Sequence, residues 1–237
     1  MKKRLKINGI IMSLAFIIIL IFPAIFLRKP NLVVTFWDES AEIFGVSFIL
    51  LGQLFRASAR GFKAENSKEG NALVQGGPYS LVRNPMYLGI FLIGLGIVLM
   101  LFKWWVLIIF LAVSIIRYVP LTRKEEKKLL QLFPETYPAY CKKVPYRFMP
   151  ALRDIFDKDI KSYLPLRLTW IKKEIGSILG VLILTLLVES LMDISHEGVI
   201  AYLSETKGLL AVILLFMFLV LYLNRHTMKS NNETNKS

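Results

Sequence analysis

Residues Gly76 to Gly89 read GGPYSLVRNPMYLG, a polar, turn-rich stretch that runs straight into an apolar one. Gly76-Gly77-Pro78 forces a turn. Asn84 precedes Pro85 and is pushed towards an extended conformation, which leaves backbone groups free to meet a ligand. Arg83 can clamp a carboxylate through two parallel hydrogen bonds, and Tyr79 and Tyr87 offer aromatic faces with polar tips. Further on come Glu125-Glu126 and then FPETYPAYCKKVPYRFMP, Phe133 to Pro150. Carboxylates, an arginine and tyrosines at the ends of apolar spans are costly to keep there, and they point to a reaction site at a membrane surface.

The rest of the chain supports a membrane setting. Apolar residues make up 55% of the 237, and the mean hydropathy is +0.54. A soluble domain of this size carries fewer apolar and more charged residues. Candidate spans are Ile7–Leu27, Ala41–Phe55, Tyr87–Phe102, Trp104–Val119, Gly176–Leu191 and Gly208–Leu223. The predicted fold is an all-α, polytopic membrane helical bundle of about six transmembrane helices with a cytosolic cofactor pocket. The first apolar run follows Lys2, Lys3, Arg4 and Lys6, yet it is long and no small-x-small cleavage site follows, so it reads as a retained helix. A single cysteine, Cys141, excludes an internal disulfide and reads as an inert thiol.

The net charge of +13 is a topology signal. Segments 1–6, 56–86, 120–175 and 224–237 hold 4, 5, 13 and 3 Lys or Arg, which is 25 of the 30. The alternate segments hold only Arg28, Lys29, Lys103 and Lys207, and Arg117 lies inside a span. This bias places both termini and the two long loops in the cytoplasm, and it argues for anionic lipid and against nucleic acid as the basic surface's partner.

Between Tyr87 and Val119 the only formal charges are Lys103 and Arg117, and two full crossings with a turn would need roughly 42 residues. A short, tight helical hairpin turning at Lys103-Trp104-Trp105 is therefore expected, with Gly89, Gly94 and Gly96 allowing close helix packing. It returns Gly76–Tyr87 and Pro120–Pro150 to one side, where they can meet. Pro120 suits a first helical turn or a kink. On the helix beyond it, with Leu121 at 0°, Leu132, Leu129, Phe133 and Leu130 fall at about 20° to 180°. Glu125 falls at about 40° and Glu126 at about 140°, inside that arc, while Arg123, Lys124, Lys127 and Lys128 fall outside it. Carboxylates there need cations or strong donors opposite them, either a ligand or a salt bridge to Arg83, Arg117 or Arg123.

The ordered set GGPYSLVRNPMYLG, Glu125-Glu126 and FPETYPAYCKKVPYRFMP resembles the isoprenylcysteine carboxyl methyltransferase and phospholipid N-methyltransferase superfamily of integral membrane enzymes. The likeness covers about Asn71 to Pro150. It implies S-adenosylmethionine as cofactor on the cytosolic side and a lipophilic acceptor, isoprenylcysteine-like or phospholipid-like. By position it gives cofactor contacts to Asn71, Ala72, Leu73, Val74, Tyr79, Asn84, Pro85, Met86, Tyr87 and Glu125. The chain has Asn84 where many members have His, which removes a titrating group. It has Leu121 where some carry an acceptor-binding Arg, a place that Arg117 could fill, and Arg83 and Arg117 are the catalytic candidates beside Glu126. Glu126 is the candidate base for an acceptor that must lose a proton.

YCKKVPYRFMP also resembles the C-terminal end of membrane sterol and steroid reductases. Their NADPH would want basic residues lining the pocket and not a glutamate pair, so a reductase is the alternative reading, with a non-catalytic membrane scaffold a third. No metal-ligand constellation is visible.

The expected organisation is an N-terminal helix pair in residues 1–60 and a methyltransferase core in 61–150. An interfacial segment, broken at Pro165, follows in 151–175, and an extra hairpin with a polar tail in 176–237. His196 and His226 read as solvated. The acceptor, the oligomeric state and the role of the added hairpin are left open by the sequence.

Overall fold

The structure, a computed structural model, describes residues 23–27, 36–67, 72–157, 159–197, 211–225 and 227. Among these residues it is helical with no strand, as the hydropathy pattern predicts. A single turn at Pro23–Phe26 precedes α1 (Phe36–Asn66); a 3-10 turn at Gly77–Ser80 leads to α2 (Pro85–Leu101) and α3 (Trp104–Leu132). Then come α4 (Thr136–Lys143), α5 (Leu152–Asp157), α6 (Ile160–Tyr163), α7 (Leu168–Glu197) and α8 (Ala211–Arg225).

Two of these helices, Ser40–Asn66 within α1 and Trp104–Leu132, are long and apolar enough to cross a membrane; α2 and α8 are apolar but shorter. The expected first span, Ile7–Leu27, lies almost wholly outside the described residues, and the other five each overlap a helix.

The packing centre is the antiparallel pair α1 and α2. Gly45 faces Gly96 and Gly52 faces Gly89, two glycine pairs seven residues apart on each helix. A Cβ on Gly52 would come 2.6 Å from the Gly89 carbonyl oxygen, and one on Gly89 would come 2.7 Å from that of Gly52. Only hydrogen side chains let the backbones approach this closely, which is how apolar helices gain contact where lipid is as apolar as they are. Gly94 serves the next helix: the Phe110 ring of α3 occupies the place of its missing Cβ.

The hairpin turn falls at Phe102-Lys103, as expected, and Lys103 N–H donates to the Phe26 carbonyl at 3.1 Å. Its second arm departs from expectation. Pro120 neither starts a helix nor breaks one; it lies inside α3, which runs unbroken for 29 residues, roughly 43 Å at 1.5 Å per residue. The membrane arm and the Glu125-Glu126 helix are thus one continuous helix. Helix α1 likewise runs on past Phe55 to Asn66, carrying Arg56, Arg60 and Lys63.

The break at Pro165 falls between α6 and α7 as predicted. The segment Leu168–Ile175 forms the first turns of α7, and Asp193, His196 and Glu197 continue that helix where a loop was expected. Helix α7 is braced on α1 by Glu174, whose carboxylate meets Arg60 at 2.7 Å and Arg56 at 3.7 Å. The Trp170 ring fills the space beside Gly61. His226 and the polar tail lie outside the described residues.

Candidate active site

The two motifs meet. Arg83 N–H donates to the Tyr146 carbonyl at 2.9 Å, and Asn84 donates from its backbone N–H at 3.1 Å and its side-chain amide at 3.0 Å to the Arg147 carbonyl. Tyr140 hydroxyl donates to the Tyr79 carbonyl at 2.7 Å. Gly77 supplies the turn that makes this possible: its φ of +55° favours glycine, and the Phe62 ring of α1 sits where its Cβ would be. Pro85, at the first position of α2, needs no donor there.

These links enclose a cleft of about 320 Å³ between the end of α1, residues 72–86 and the last turns of α3. Ala72, Leu73, Val74, Tyr79, Met86 and Glu125 line it, six of the ten residues given a cofactor role by position. Tyr87 joins through its hydroxyl, which donates to Glu125 Oε1 at 2.5 Å, a short charge-assisted bond. Asn84 and Pro85 are buried and do not line the cleft. The polar groups of Asn84, expected to be free for a ligand, are committed to Arg147 and to the first turn of α2. Asn71 lies outside the described residues, but Ser67 Oγ donates to the Ala72 carbonyl at 2.7 Å and pins the far end of that loop.

The glutamates are arranged opposite to the helical-wheel expectation. Glu126 is buried, whereas Glu125 is exposed towards the cleft. The wheel took the apolar arc for the buried face, yet Leu121, Leu130 and Leu132 are exposed and the buried stripe is Ser114, Thr122 and Glu126. The reason is the partner: this stretch of α3 turns Glu126 towards Arg147 of the strap 144–149 and towards Arg83. Glu126 Oε2 meets Arg147 Nε at 2.9 Å and its Oε1 lies 3.5 Å from Arg83 Nε. It therefore takes the salt-bridge alternative, to Arg83 and Arg147 and not to Arg123.

Arg83 lines the cleft, but its guanidinium is turned to the strap, donating from Nη1 to Cys141 Sγ at 2.9 Å and from Nη2 to the Pro145 carbonyl at 3.1 Å. Cys141, read as inert, is thus the acceptor for a buried arginine. Arg117 is exposed on α3, two turns before Glu125, and does not line the cleft. Burial, together with the nearby Glu125 carboxylate, pushes the Tyr79 phenol well above its ordinary range, and burial does the same for Tyr140, so both stay protonated donors.

Sequence reading missed Lys63, Ser67 and Lys128, which also line the cleft, and Arg147. Lys63 and Ser67 were out of reach because α1 was expected to end at Phe55. Tyr140 and Arg147 stood inside the quoted motif, but their spacing says nothing of what they touch. Packing completes the site's wall: Tyr87, Tyr118, Phe148, Phe91 and Phe110 form a run of rings with centroids 5.3 to 5.6 Å apart, in which Phe148 of the strap fills the seam between α2 and α3.

Residues 40–136 match the family model for phospholipid methyltransferases. A curated relative, protein-S-isoprenylcysteine O-methyltransferase of Schizosaccharomyces pombe, is 30% identical over 127 residues, 50% of this chain and 54% of the relative. This core is thus similar to the phospholipid and isoprenylcysteine methyltransferases. The chain spans about half the length of that relative. No solved structure matches. The matched segment holds all the cleft residues except Tyr140, while the strap that clamps it through Arg83, Asn84 and Glu126 follows the family match.

Proposed function

We propose that this protein is an S-adenosylmethionine-dependent methyltransferase acting on a lipophilic acceptor at a membrane surface. The observation that carries the reading is the Glu125 carboxylate, held by Tyr87 in a cleft whose apolar wall includes Leu73, Val74, Met86 and Leu129. The cofactor brings a heterocycle, two cationic centres and a carboxylate. The apolar wall and Tyr79 suit the first, Glu125 suits a cation, and Lys63 and Lys128 suit the carboxylate. A volume of about 320 Å³ lies at the low end for small-ligand sites and fits a nucleoside-sized molecule better than a dinucleotide. Size therefore disfavours NADPH more than charge does, since Lys63 and Lys128 line the cleft beside Glu125.

When bound, S-adenosylmethionine supplies a methyl group activated by its sulfonium. The chain's own part is to orient and to exclude water. The glycine-paired α1 and α2 fix one wall, α3 fixes the other, and the strap ties the walls together, so positioning supplies much of the rate. Glu126, locked between two arginines, serves as a positioning residue for the strap and not as a base. Among the described residues, Glu125 is then the one carboxylate that lines the cleft. A carboxylate acceptor, which loses no proton when it becomes a methyl ester, asks less of this site than an amine, and the basic lining favours its approach. We therefore place an isoprenylcysteine-like acid ahead of a phospholipid amine.

Calorimetry on the full chain in detergent should show binding of S-adenosylmethionine or its demethylated product. Tight NADPH binding without it would reverse the assignment to a reductase, and binding of neither would leave a scaffold. Transfer of a labelled methyl group to an S-prenylcysteine acid gives an alkali-labile product, whereas transfer to phosphatidylethanolamine gives an alkali-stable one. The stable label alone would overturn the preference for a carboxylate.

A further inference from the structure

Beyond the methyltransferase core the chain builds a second cleft, of about 580 Å³, on the other face of the last turns of α1. Lys63 and Ser67 point to the first cleft; Phe62, Glu65 and Asn66 line the second. Its remaining walls come from the break at Pro165 and from the end of α8. There Leu166 N–H donates to Thr227 Oγ1 at 3.1 Å, and Leu168 N–H donates to Asn224 Oδ1 at 2.8 Å. Much of the polar lining is already partnered. Glu65 Oε1 accepts from Trp170 Nε1 at 2.7 Å and from Arg167 Nη1 at 2.8 Å, Asp159 Oδ1 accepts from the Lys161 N–H at 3.1 Å, and the Ser162 hydroxyl donates to the Asp159 carbonyl at 2.7 Å. Donors remain. Arg167 Nε is shielded from solvent without a partner, and the Lys161 ammonium, 5.3 Å from the centroid of the Tyr222 ring and hydrogen-bonded to the Tyr222 side chain, has further N–H groups to offer.

An apolar track leads to these donors. Leu214, Phe218 and Tyr222, at four-residue spacing on α8, are all exposed, and Lys161 sits over the last of them. A stripe of exposed apolar side chains ending under a lysine matches an acyl chain whose head group carries an anion. Glu65 and Asp159 on the same walls disfavour a multiply charged head. We propose that this cleft and the α8 stripe bind a membrane lipid with a singly charged phosphodiester head group, the phosphate meeting Lys161 and Arg167 and one chain lying along Leu214, Phe218 and Tyr222.

The test uses the full chain in neutral maltoside micelles, with bound lipid counted by native mass spectrometry. Dioleoyl phosphatidylglycerol should bind saturably, one per chain, while dioleoylglycerol, which lacks the phosphate, should not. Lys161→Gln should weaken binding about five-fold, the share of one lysine beside lipid phosphate. Phe218→Ser should weaken it as well, since it interrupts the track. Both side chains lie at the surface, so both variants should melt like the parent. Equal binding to the parent and to Lys161→Gln, or equal binding of dioleoylglycerol, would overturn the proposal. Full displacement by inorganic phosphate would make this a site for a soluble anion and overturn it too.

Discussion

Replacing Glu126 by Gln separates a structural ion pair from a catalytic base. In the folded protein the Glu126 carboxylate is the counter-charge of Arg83, and both side chains are only 10% exposed. Its second partner, Arg147, is 49% exposed, so that pair is screened and contributes little. The cost of the substitution is thus set by Arg83, a buried cation that would keep its bonds to Cys141 and Pro145 and lose its only carboxylate. Breaking a buried pair by removing one partner costs about 3–5 kcal/mol. The remaining acceptors on Arg83 and the hydrogen-bonding Gln amide reduce this to about 2–3 kcal/mol. At ~2–4 °C per kcal/mol for a chain of this size, the melting temperature should fall by roughly 4–12 °C. Arg147→Ala, which strips the exposed partner, should lower it far less. Thermal unfolding of parent and variants in one detergent decides the matter, with the cofactor dissociation constant measured in parallel. A Glu126→Gln protein that melts like the parent yet has lost methyl transfer would refute the structural assignment and restore Glu126 as the base.

Glu125→Gln should leave the melting temperature near that of the parent and weaken S-adenosylmethionine binding about ten- to a hundred-fold, the worth of a charge-assisted contact; unchanged affinity by calorimetry would remove the central residue of the site. Tyr87→Phe keeps the ring and removes the 2.5 Å bond to Glu125, so it should weaken binding by less, about two- to ten-fold. Gly52→Leu must push α1 from α2 because even a Cβ would stand 2.6 Å from the Gly89 oxygen, and a loss of about 1–3 kcal/mol should appear in thermal melts. With Cys141 replaced by Ser, a cysteine at Lys142 should be labelled from the cytoplasmic side and one at Glu197 from the other; labelling of both from one side would overturn the orientation read from the basic residues.

What the sequence disclosed follows from what each signal physically reports. Hydropathy reports transfer into an apolar phase, so the spans from Ala41 onwards fall on helices. It is silent on where a helix ends once it leaves that phase, and α1 and α3 both run on through charged residues whose helix propensity is good. Gly77 and Pro85 declared their turn and their helix start because each has few conformations open to it. The buried stripe of α3 misled because amphipathicity names the inner face only when that face meets an apolar partner. Here Ser114, Thr122 and Glu126 are buried, Glu126 against Arg83 and Arg147, and leucines are left outside. The pairing of Glu126 with Arg83 and Arg147 needs the strap's path, which no periodicity encodes.

The last two turns of α1 explain why the C-terminal helices stay with the core. One face of those turns offers Lys63 and Ser67 to the candidate methyl-donor cleft and rests Phe62 on the Gly76-Gly77 turn. The other face is gripped by α7: Glu174 on Arg60, Trp170 on Gly61, and Arg167 and Trp170 on Glu65. A helix end that emerges from a bilayer would otherwise fray, because its last four carbonyls have no partner along the helix. Fraying there would release Phe62 from the glycine turn and open the first cleft. The helices beyond the family match therefore hold rigid a wall that the core alone would leave at the loose end of a span. Gly61→Ala, which thrusts a methyl group into the Trp170 ring and leaves every cleft residue in place, should lower cofactor affinity together with the melting temperature; a lowered melting temperature with full affinity would uncouple the two.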